Sequence, residues 1–346
     1  MKLFCGGYTP NREGGIYTFE LNDKNGKLKQ LHLTKTTNPS YLCLSPNKEV
    51  LYTFEEIGQQ DEPKLKAFTI DKKGRLSLIN EQVIPGAYPC HLTLSPDRKF
   101  VLVACYGSGN VQCFSVKEDG SLGKMTDNVQ HQGKSENKSR QEGPHAHMVA
   151  FDQDGKLYVC DLGIDKIMVY SLTSTGKLEL LENEVIEIAS GSGPRHMVFH
   201  PSYQYAFVLN ELTSTISLLE KSNGKYAVKQ DYLMIEEPFS GMPSGAAIRI
   251  SKDGQLLFAS DRTVNGISTF KVDAENGTLK LIETTSCGGI FPRDFNLSPD
   301  GEWLLSAHQK SNDIVVFSLE QSTGKLAQIG SINEIVSPTC LVFLED

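Results

Sequence analysis

The sequence predicts an all-β chain folded as a seven-bladed β-propeller, with four-stranded antiparallel blades. Three observations carry this. A turn-like segment recurs about every fifty residues: Ser-Pro-Asn-Lys at 45–48, Ser-Pro-Asp-Arg at 95–98 and Ser-Pro-Asp-Gly at 298–301, with degenerate copies at Phe151-Asp-Gln-Asp-Gly, His200-Pro-Ser-Tyr and Ser251-Lys-Asp-Gly. These anchors stand at 45, 95, 151, 200, 251 and 298, and only strand patterns lie between them. A period of this size filled by short strands is the signature of a ring of β-sheets. The third observation is that the chain stops after a partial repeat, whose missing strands its N-terminus can supply.

Within one repeat the order of elements is regular. His91-Leu-Thr-Leu leads into Ser95-Pro96, and Phe100-Val-Leu-Val-Ala-Cys follows as a second strand. Gly107-Ser-Gly then turns into Val111-Gln-Cys-Phe-Ser-Val, and Lys117-Glu-Asp-Gly turns into a weaker last strand. The next repeat runs His147-Met-Val-Ala, Lys156-Leu-Tyr-Val-Cys, Ile167-Met-Val-Tyr-Ser-Leu and the turn Thr173-Ser-Thr-Gly. Apolar runs bounded by Gly, Pro, Asp and Ser clusters read as strands joined by turns. Six anchors give six first strands. The seventh is Pro338-Thr-Cys-Leu-Val-Phe-Leu, which aligns with Pro39-Ser-Tyr-Leu-Cys-Leu-Ser. Lys2-Leu-Phe-Cys and Gly15-Ile-Tyr-Thr-Phe-Glu would complete that blade, closing the ring between the termini and removing its exposed edges.

Residues 1–346 are therefore expected to form one closed unit rather than two domains. The interval between 95 and 151 is the longest, and its surplus falls in 124–145, a polar stretch without strand pattern. A loop leaning over the channel mouth and a solvated insertion both fit such a segment.

A hydrophobic fraction of 39% and a charged fraction of 22% suit a globular chain, and a net charge of −8 without a basic block argues against nucleic acid as partner. No apolar run approaches the ~20 residues needed to cross a bilayer, and the strand-like start carries no signal-peptide pattern, so no membrane partner and a cytoplasmic location are expected. The eight cysteines contain no Cys-x-x-Cys and sit mostly in apolar strand patterns, as buried reduced thiols would. No pattern indicates a cofactor, and the oligomeric state is not legible.

A propeller brings equivalent positions of each repeat to one central channel. Four and five residues before the anchors stand Ser40-Tyr41, Cys90-His91, Ala146-His147, Arg195-His196, Ala246-Ala247 and Arg293-Asp294. Ten and eleven after them stand Glu55-Glu56, Cys105-Tyr106, Asp161-Leu162, Asn210-Glu211, Asp261-Arg262 and His308-Gln309. Both registers end at the same mouth, because paired strands run antiparallel. Ionisable side chains gathered at a concave mouth are the default candidate site. Arg195, His196 and Glu211 come from one blade and Arg262 from its neighbour, so they can converge.

A metal reading rests on His145-Ala-His147, whose i, i+2 spacing places two imidazoles on one side of a strand, with Asp161 or His196 as a third ligand. The flanking arginines oppose a cation, and no metal is expected. No Gly-x-Ser-x-Gly occurs, and no Ser or Cys has an evident His–Asp escort, so water is the expected nucleophile of any hydrolytic reaction.

Gly193-Pro-Arg-His-Met-Val-Phe-His-Pro201 followed by Asn210-Glu-Leu-Thr-Ser-Thr215 resembles the core motif of the lactonase seven-bladed propeller family, of the bacterial 6-phosphogluconolactonase and fungal 3-carboxymuconate cyclase type. Ala104-Cys-Tyr-Gly-Ser-Gly-Asn110, Arg140-Gln-Glu-Gly-Pro-His-Ala-His147, Asp161-Leu-Gly-Ile-Asp165 and Phe291-Pro-Arg-Asp-Phe295 extend the likeness through most of the chain. The resemblance implies catalytic roles for His147, Arg195, Glu211 and Arg262, with His145 as an alternative histidine. It implies a small anionic lactone, a sugar phosphate, as substrate. The expected reaction is hydrolysis of 6-phospho-D-glucono-1,5-lactone, with Glu211 as base, His147 as proton shuttle and arginines as anion clamps. His145, His196, Arg293, Asp161, Tyr106, His91 and His308 are the expected substrate-binding residues. A carboxymuconate-type cycloisomerase, a hydrolase of another anionic lactone, or a propeller that only binds are the alternatives.

Overall fold

A computed structural model describes residues 1–235 and 240–344. Seven antiparallel sheets form the ring; in six the strands are hydrogen-bonded in chain order from the channel outward, with a short fifth strand, Ile186–Glu187, added to one of them. We number the blades from the first complete one. Blade 1 runs from Leu42 to Val83, blade 2 from Pro89 to Gln130, blade 3 from Ala146 to Glu187 and blade 4 from Pro194 to Leu233. Blade 5 runs from Gly245 to Ser286 and blade 6 from Pro292 to Asn333. Blade 7 takes its innermost strand, Pro338–Phe343, from the C-terminus and its three outer strands, Lys2–Gly7, Ile16–Leu21 and Leu28–Thr34, from the N-terminus. The closure read from the terminal half-repeats is thus present, with Leu3 opposite Phe343 and Cys5 opposite Leu341.

The recurring anchor has a local physical cause. In blade 2 the Ser95 hydroxyl accepts from the Phe100 amide (3.0 Å) and donates to Asp97 (2.6 Å), whose carboxylate in turn accepts from the Lys99 amide at 3.1 Å. The Val50 amide makes the same bond to Ser45 (2.9 Å), and the Trp303 amide to Ser298 (2.9 Å). Ser and Asp are chosen here because their short polar arms can replace backbone partners in a turn. Blade 3 has no serine at its anchor, and Asp152 accepts from the Asp154 and Lys156 amides instead.

Each blade is sandwiched between two others, so its inner strands are apolar on both faces. Phe100-Val-Leu-Val-Ala-Cys105 is buried throughout. Phe100, Leu102 and Ala104 pack on Val149, Leu157 and Val159 of blade 3, while Val101, Val103 and Cys105 pack on Tyr52, Phe54 and Leu65 of blade 1. Apolar clusters of this kind fill all seven blade interfaces. All eight cysteines are unpaired, seven of them buried.

The segment 124–145 differs from expectation in its first part. Residues up to Gln130 belong to the outer strand Leu122–Gln130 of blade 2. Its polar composition follows from its position, since an outermost strand has a solvent-facing side. The excursion proper starts at His131 and is pinned at several points. The His131 imidazole meets Asp161 Oδ2 at 2.6 Å, and the Gln141 side chain, fully buried, donates to the Leu162 carbonyl at 2.9 Å.

Candidate active site

One backbone hydrogen bond repeats in every blade and sets the site. The residue just past the second strand donates its amide to the loop that precedes an innermost strand. Glu56 donates to Asn38, Tyr106 to Tyr88, Leu162 to His145, Glu211 to Gly193, Arg262 to Ser244, Gln309 to Phe291 and, in blade 7, Tyr8 to Ser337. These seven residues are therefore structurally equivalent and encircle one mouth of the channel. Five of them (Tyr8, Glu56, Tyr106, Glu211 and Arg262) line a cavity of about 240 Å³ together with Cys90, Arg140, His147 and Arg293.

Glu211 is the centre of this cavity's charge. Arg140 donates to Oε1 at 2.6 Å. Arg195 Nε and Arg262 Nη2 both stand 3.0 Å from Oε2. Burial opposes ionisation of Glu211, but Arg262, Arg195 and Arg140 outweigh it and hold the carboxyl well below the ordinary carboxylate range. The two inner arginines are fixed by backbone as well. Arg195 Nη1 donates to the Ala246 carbonyl, and Arg262 donates to the carbonyls of Ser244 (3.2 Å) and Gly245 (3.0 Å). Burial, reinforced by the charge of Arg262, lowers the Arg195 guanidinium to about 10 against the pull of Glu211.

Opposite this cluster lies a second, looser one. Tyr8 donates to Glu56 Oε1 at 2.7 Å, and Ser40 donates to Oε2. Arg293 is 3.9 Å from Glu56 and rests over the Tyr8 ring at 5.3 Å. Its guanidinium is therefore less committed than those of Arg195 and Arg262. Among the groups that line or back the cavity, four guanidinium groups (Arg140, Arg195, Arg262, Arg293) face two carboxylates (Glu56, Glu211). His147 adds no charge. Burial, helped by Arg195 and only partly opposed by Glu211, keeps its imidazole neutral, and its Nδ1 has no hydrogen-bond partner among the described residues.

Beneath His147 a column of rings fills the channel. His147 meets His196 edge-on at 5.3 Å, His196 meets His91 at 5.6 Å, and His91 lies against Tyr41 at 4.2 Å. Burial lowers all three imidazoles, His91 to about 3, with Arg249 and Arg195 adding to it. His196 and His91 thus lie under the cavity rather than on its wall.

Of the residues read from the sequence, the structure brings His147, Glu211, Arg262, Tyr106 and Arg293 to the cavity wall, with Arg195 directly behind Glu211. His145 stacks on Tyr106 (4.4 Å) and its Nδ1 meets the Tyr106 carbonyl at 2.8 Å, so it supports the wall. Besides His145, His91 and His196, two more of the expected substrate-binding residues lie off the cavity wall. His308 is fully buried, bonded to Ser306 at 2.9 Å and to Asp313 at 3.1 Å, and does not reach the mouth. Asp161 is also fully buried, and its oxygens take His131, the His145 amide (2.7 Å) and the Gly163 amide (3.0 Å). The cause is strand alternation: in blades 2 to 6 the tenth residue after the anchor ends the second strand and is buried in the blade, while the eleventh lines the cavity where it is Tyr106, Glu211 or Arg262. Asp161 is the buckle that fastens the 131–145 loop. Sequence reasoning missed Tyr8 and Arg140. Tyr8 occupies the register of Glu211 and Arg262, but blade 7 has no anchor at the N-terminus from which to count.

Among the described residues no group of three or more His, Cys, Asp and Glu side chains is arranged to hold a metal ion. His145 and His147 both contact Tyr106, one stacked and one edge-on at 5.8 Å, and Asp161 is committed to the loop. No helix among them is long and apolar enough to span a membrane.

A closed seven-bladed ring whose one mouth gathers arginines around a buried carboxylate defines a propeller with an enclosed polar cavity at one end of its channel. The chain belongs to the lactonase family of seven-bladed β-propellers, whose model matches residues 2–343. It is 34% identical to the 6-phosphogluconolactonase of Bacillus subtilis strain 168 over 346 residues, covering 99% of this chain and 97% of that protein. It is 35% identical to the 6-phosphogluconolactonase of Formosa agariphila, with 94% and 95% of the two chains covered. Among solved structures, the periplasmic gluconolactonase PpgL of Pseudomonas aeruginosa superposes with a TM-score of 0.94 at 30% identity, over 99% of this chain and 98% of that one.

Proposed function

We propose that the protein hydrolyses 6-phospho-D-glucono-1,5-lactone to 6-phosphogluconate, the ring-opening step of oxidative glucose 6-phosphate breakdown. The observation that carries this is the charge of the cavity. Four guanidinium groups against two carboxylates leave a surplus of two positive charges. A phosphomonoester carries about −1.5 to −2 at neutral pH, which such a surplus matches. A neutral sugar lactone would leave those arginines without counter-charge. The names of the Bacillus and Formosa relatives support the phosphorylated substrate, and the eight unpaired cysteines support a reducing, cytoplasmic setting.

In this reading water attacks the lactone carbonyl carbon. Glu211, ionised across the physiological range, orients the water and takes its proton. Arg262 faces the oxygen that gains negative charge, as a fixed donor in a partly dry site. The bond from the carbonyl carbon to the ring oxygen then breaks, and that oxygen receives a proton, with His147 as the neutral imidazole that relays it. Arg293, held only loosely by Glu56 and Tyr8, is available to the phosphate. Guanidinium groups suit this task because they offer two parallel donors to one anion.

The test is substrate selectivity. The purified protein is expected to favour the phosphorylated lactone over glucono-1,5-lactone by at least about tenfold in kcat/KM. Equal or reversed selectivity would remove the phosphate from the account.

A further inference from the structure

The three guanidinium groups around Glu211 are not alike. Arg195 and Arg262 share Oε2, are nearly fully buried and are tied to backbone carbonyls of blade 5. Arg140 alone takes Oε1. Its side chain is 38% exposed, it comes from the 131–145 loop, and its second contact is the Tyr106 hydroxyl at 3.2 Å. Among the described residues its guanidinium bonds to side chains, Glu211 and Tyr106, and to no backbone carbonyl. The backbone beneath it, in contrast, is anchored: the Arg140 and Gln141 amides donate to the Asn137 carbonyl at 3.1 and 2.7 Å, and the Ser135 amide donates to that of Gln141. The buried Gln141 amide group clips the loop to Leu162 at 2.9 Å. The loop is thus a fixed mount, and the movable part is one long side chain that reaches over the cavity to the carboxylate.

We propose that Arg140 is a specificity-determining residue that exchanges partners on binding: without substrate it latches Glu211, and the phosphate of an incoming sugar-phosphate lactone draws it off. The exchange is between two anions on one guanidinium, and the phosphate offers the greater charge and two oxygens for bidentate contact. Once Arg140 leaves, Oε1 faces the cavity free of its hydrogen-bonded cation, and Glu211 becomes a stronger base. The anion that marks the correct substrate thereby arms the group that attacks it. A neutral lactone binds to the latched form and gains no such release. Selectivity then resides in kcat as well as in KM, beyond what the static charge of Arg293 and Arg262 provides.

The inference rests on the phospholactone reading, and one set of variants separates the two. Arg140→Gln is expected to lower kcat/KM for 6-phosphogluconolactone by about 100-fold and to raise the rate on glucono-1,5-lactone by about threefold or more, because the latch is gone. Arg140→Lys, which keeps the charge and loses the fork, should recover part of the first loss. A parallel fall on both lactones, or no change on either, would overturn the exchange. Binding of 6-phosphogluconate and of inorganic phosphate, followed by calorimetry, is the second measurement. Wild-type protein should bind 6-phosphogluconate at least about tenfold more tightly than Arg140→Gln. Equal binding would overturn the role of Arg140 even if hydrolysis of the phospholactone stands. Tighter wild-type binding without any phospholactone hydrolysis would retain Arg140 as the anion receptor and discard the reaction.

Discussion

Replacing Glu211 by Gln tests chemistry and architecture together. The side chain keeps its shape and one carbonyl acceptor but loses the charge that two buried guanidinium groups share at 3.0 Å. Arg195 is 2% exposed and Arg262 8%, so neither can recruit bulk water in compensation. Breaking a buried ion pair by removing one partner costs about 3–5 kcal/mol. With an unfolding entropy of roughly 2.1 cal/mol/K per residue over 346 residues, this corresponds to a midpoint lowered by about 4–7 °C. The protein should remain folded at 25 °C, which calorimetry and circular dichroism check before any rate is measured. In folded protein, kcat on 6-phosphogluconolactone should then fall by about 10²–10⁴, the range for a lost general base. A fall of less than tenfold in protein whose midpoint has dropped as expected would remove Glu211 from the proton-transfer step and leave it only a structural counter-ion.

Three further outcomes follow from the same geometry. Arg195→Lys keeps the charge but cannot reach both Glu211 and the Ala246 carbonyl, and its turnover on the phospholactone should fall by about 100-fold; wild-type steady-state kinetics would refute the clamp. His308→Asn alters a buried bond network away from the mouth, so the thermal midpoint should drop while kcat/KM stays within about threefold; a large kinetic loss would return His308 to the site. The buried histidines make stability depend on pH. His91, His147 and His196 are held neutral in the folded chain, with His91 lowered to about 3, whereas the unfolded chain protonates each near its ordinary value. Between those values the unfolded state binds more protons, so stability rises with pH there and is lost on acidification below about 6.5, by up to about 1.4 kcal/mol per pH unit for each histidine. His91→Asn should reduce the slope of midpoint against pH between about 4.5 and 6.5, to which His200 and His308, also lowered by burial, contribute beside the column, and an unchanged slope would contradict the contribution of His91.

The architecture was legible because its determinants are local and repeated. Ser95, Asp97 and their counterparts serve as turn residues in the first six blades, and the apolar run 100–105 announces a strand packed on both faces. The ring closure was legible because two incomplete repeats at the ends of one chain complement each other. The site was legible wherever a residue could be counted from an anchor, which delivered Glu211, Arg262, Tyr106 and His147. The counting failed for specific physical reasons. Two successive residues at the end of a strand point in different directions, and the register alone does not say which one turns to the channel, so Asp161 and His308 share the count of the cavity residues without reaching the cavity. Arg140 lies in an aperiodic loop, and its reach across to blade 4 depends on where the His131–Asp161 and Gln141–Leu162 contacts fasten that loop. Tyr8 follows the second strand of the blade that the termini share, where no anchor precedes it in the chain.

The most direct test of the central claim is the rate at which the purified wild-type protein consumes freshly generated 6-phosphogluconolactone, set against spontaneous hydrolysis and repeated with a chelator present. The account predicts a large acceleration that the chelator leaves unchanged, because arginines and a carboxylate perform the reaction. No acceleration would contradict the assignment of this cavity to phospholactone hydrolysis, and an acceleration abolished by the chelator would contradict the chemistry given to Glu211 and its arginines.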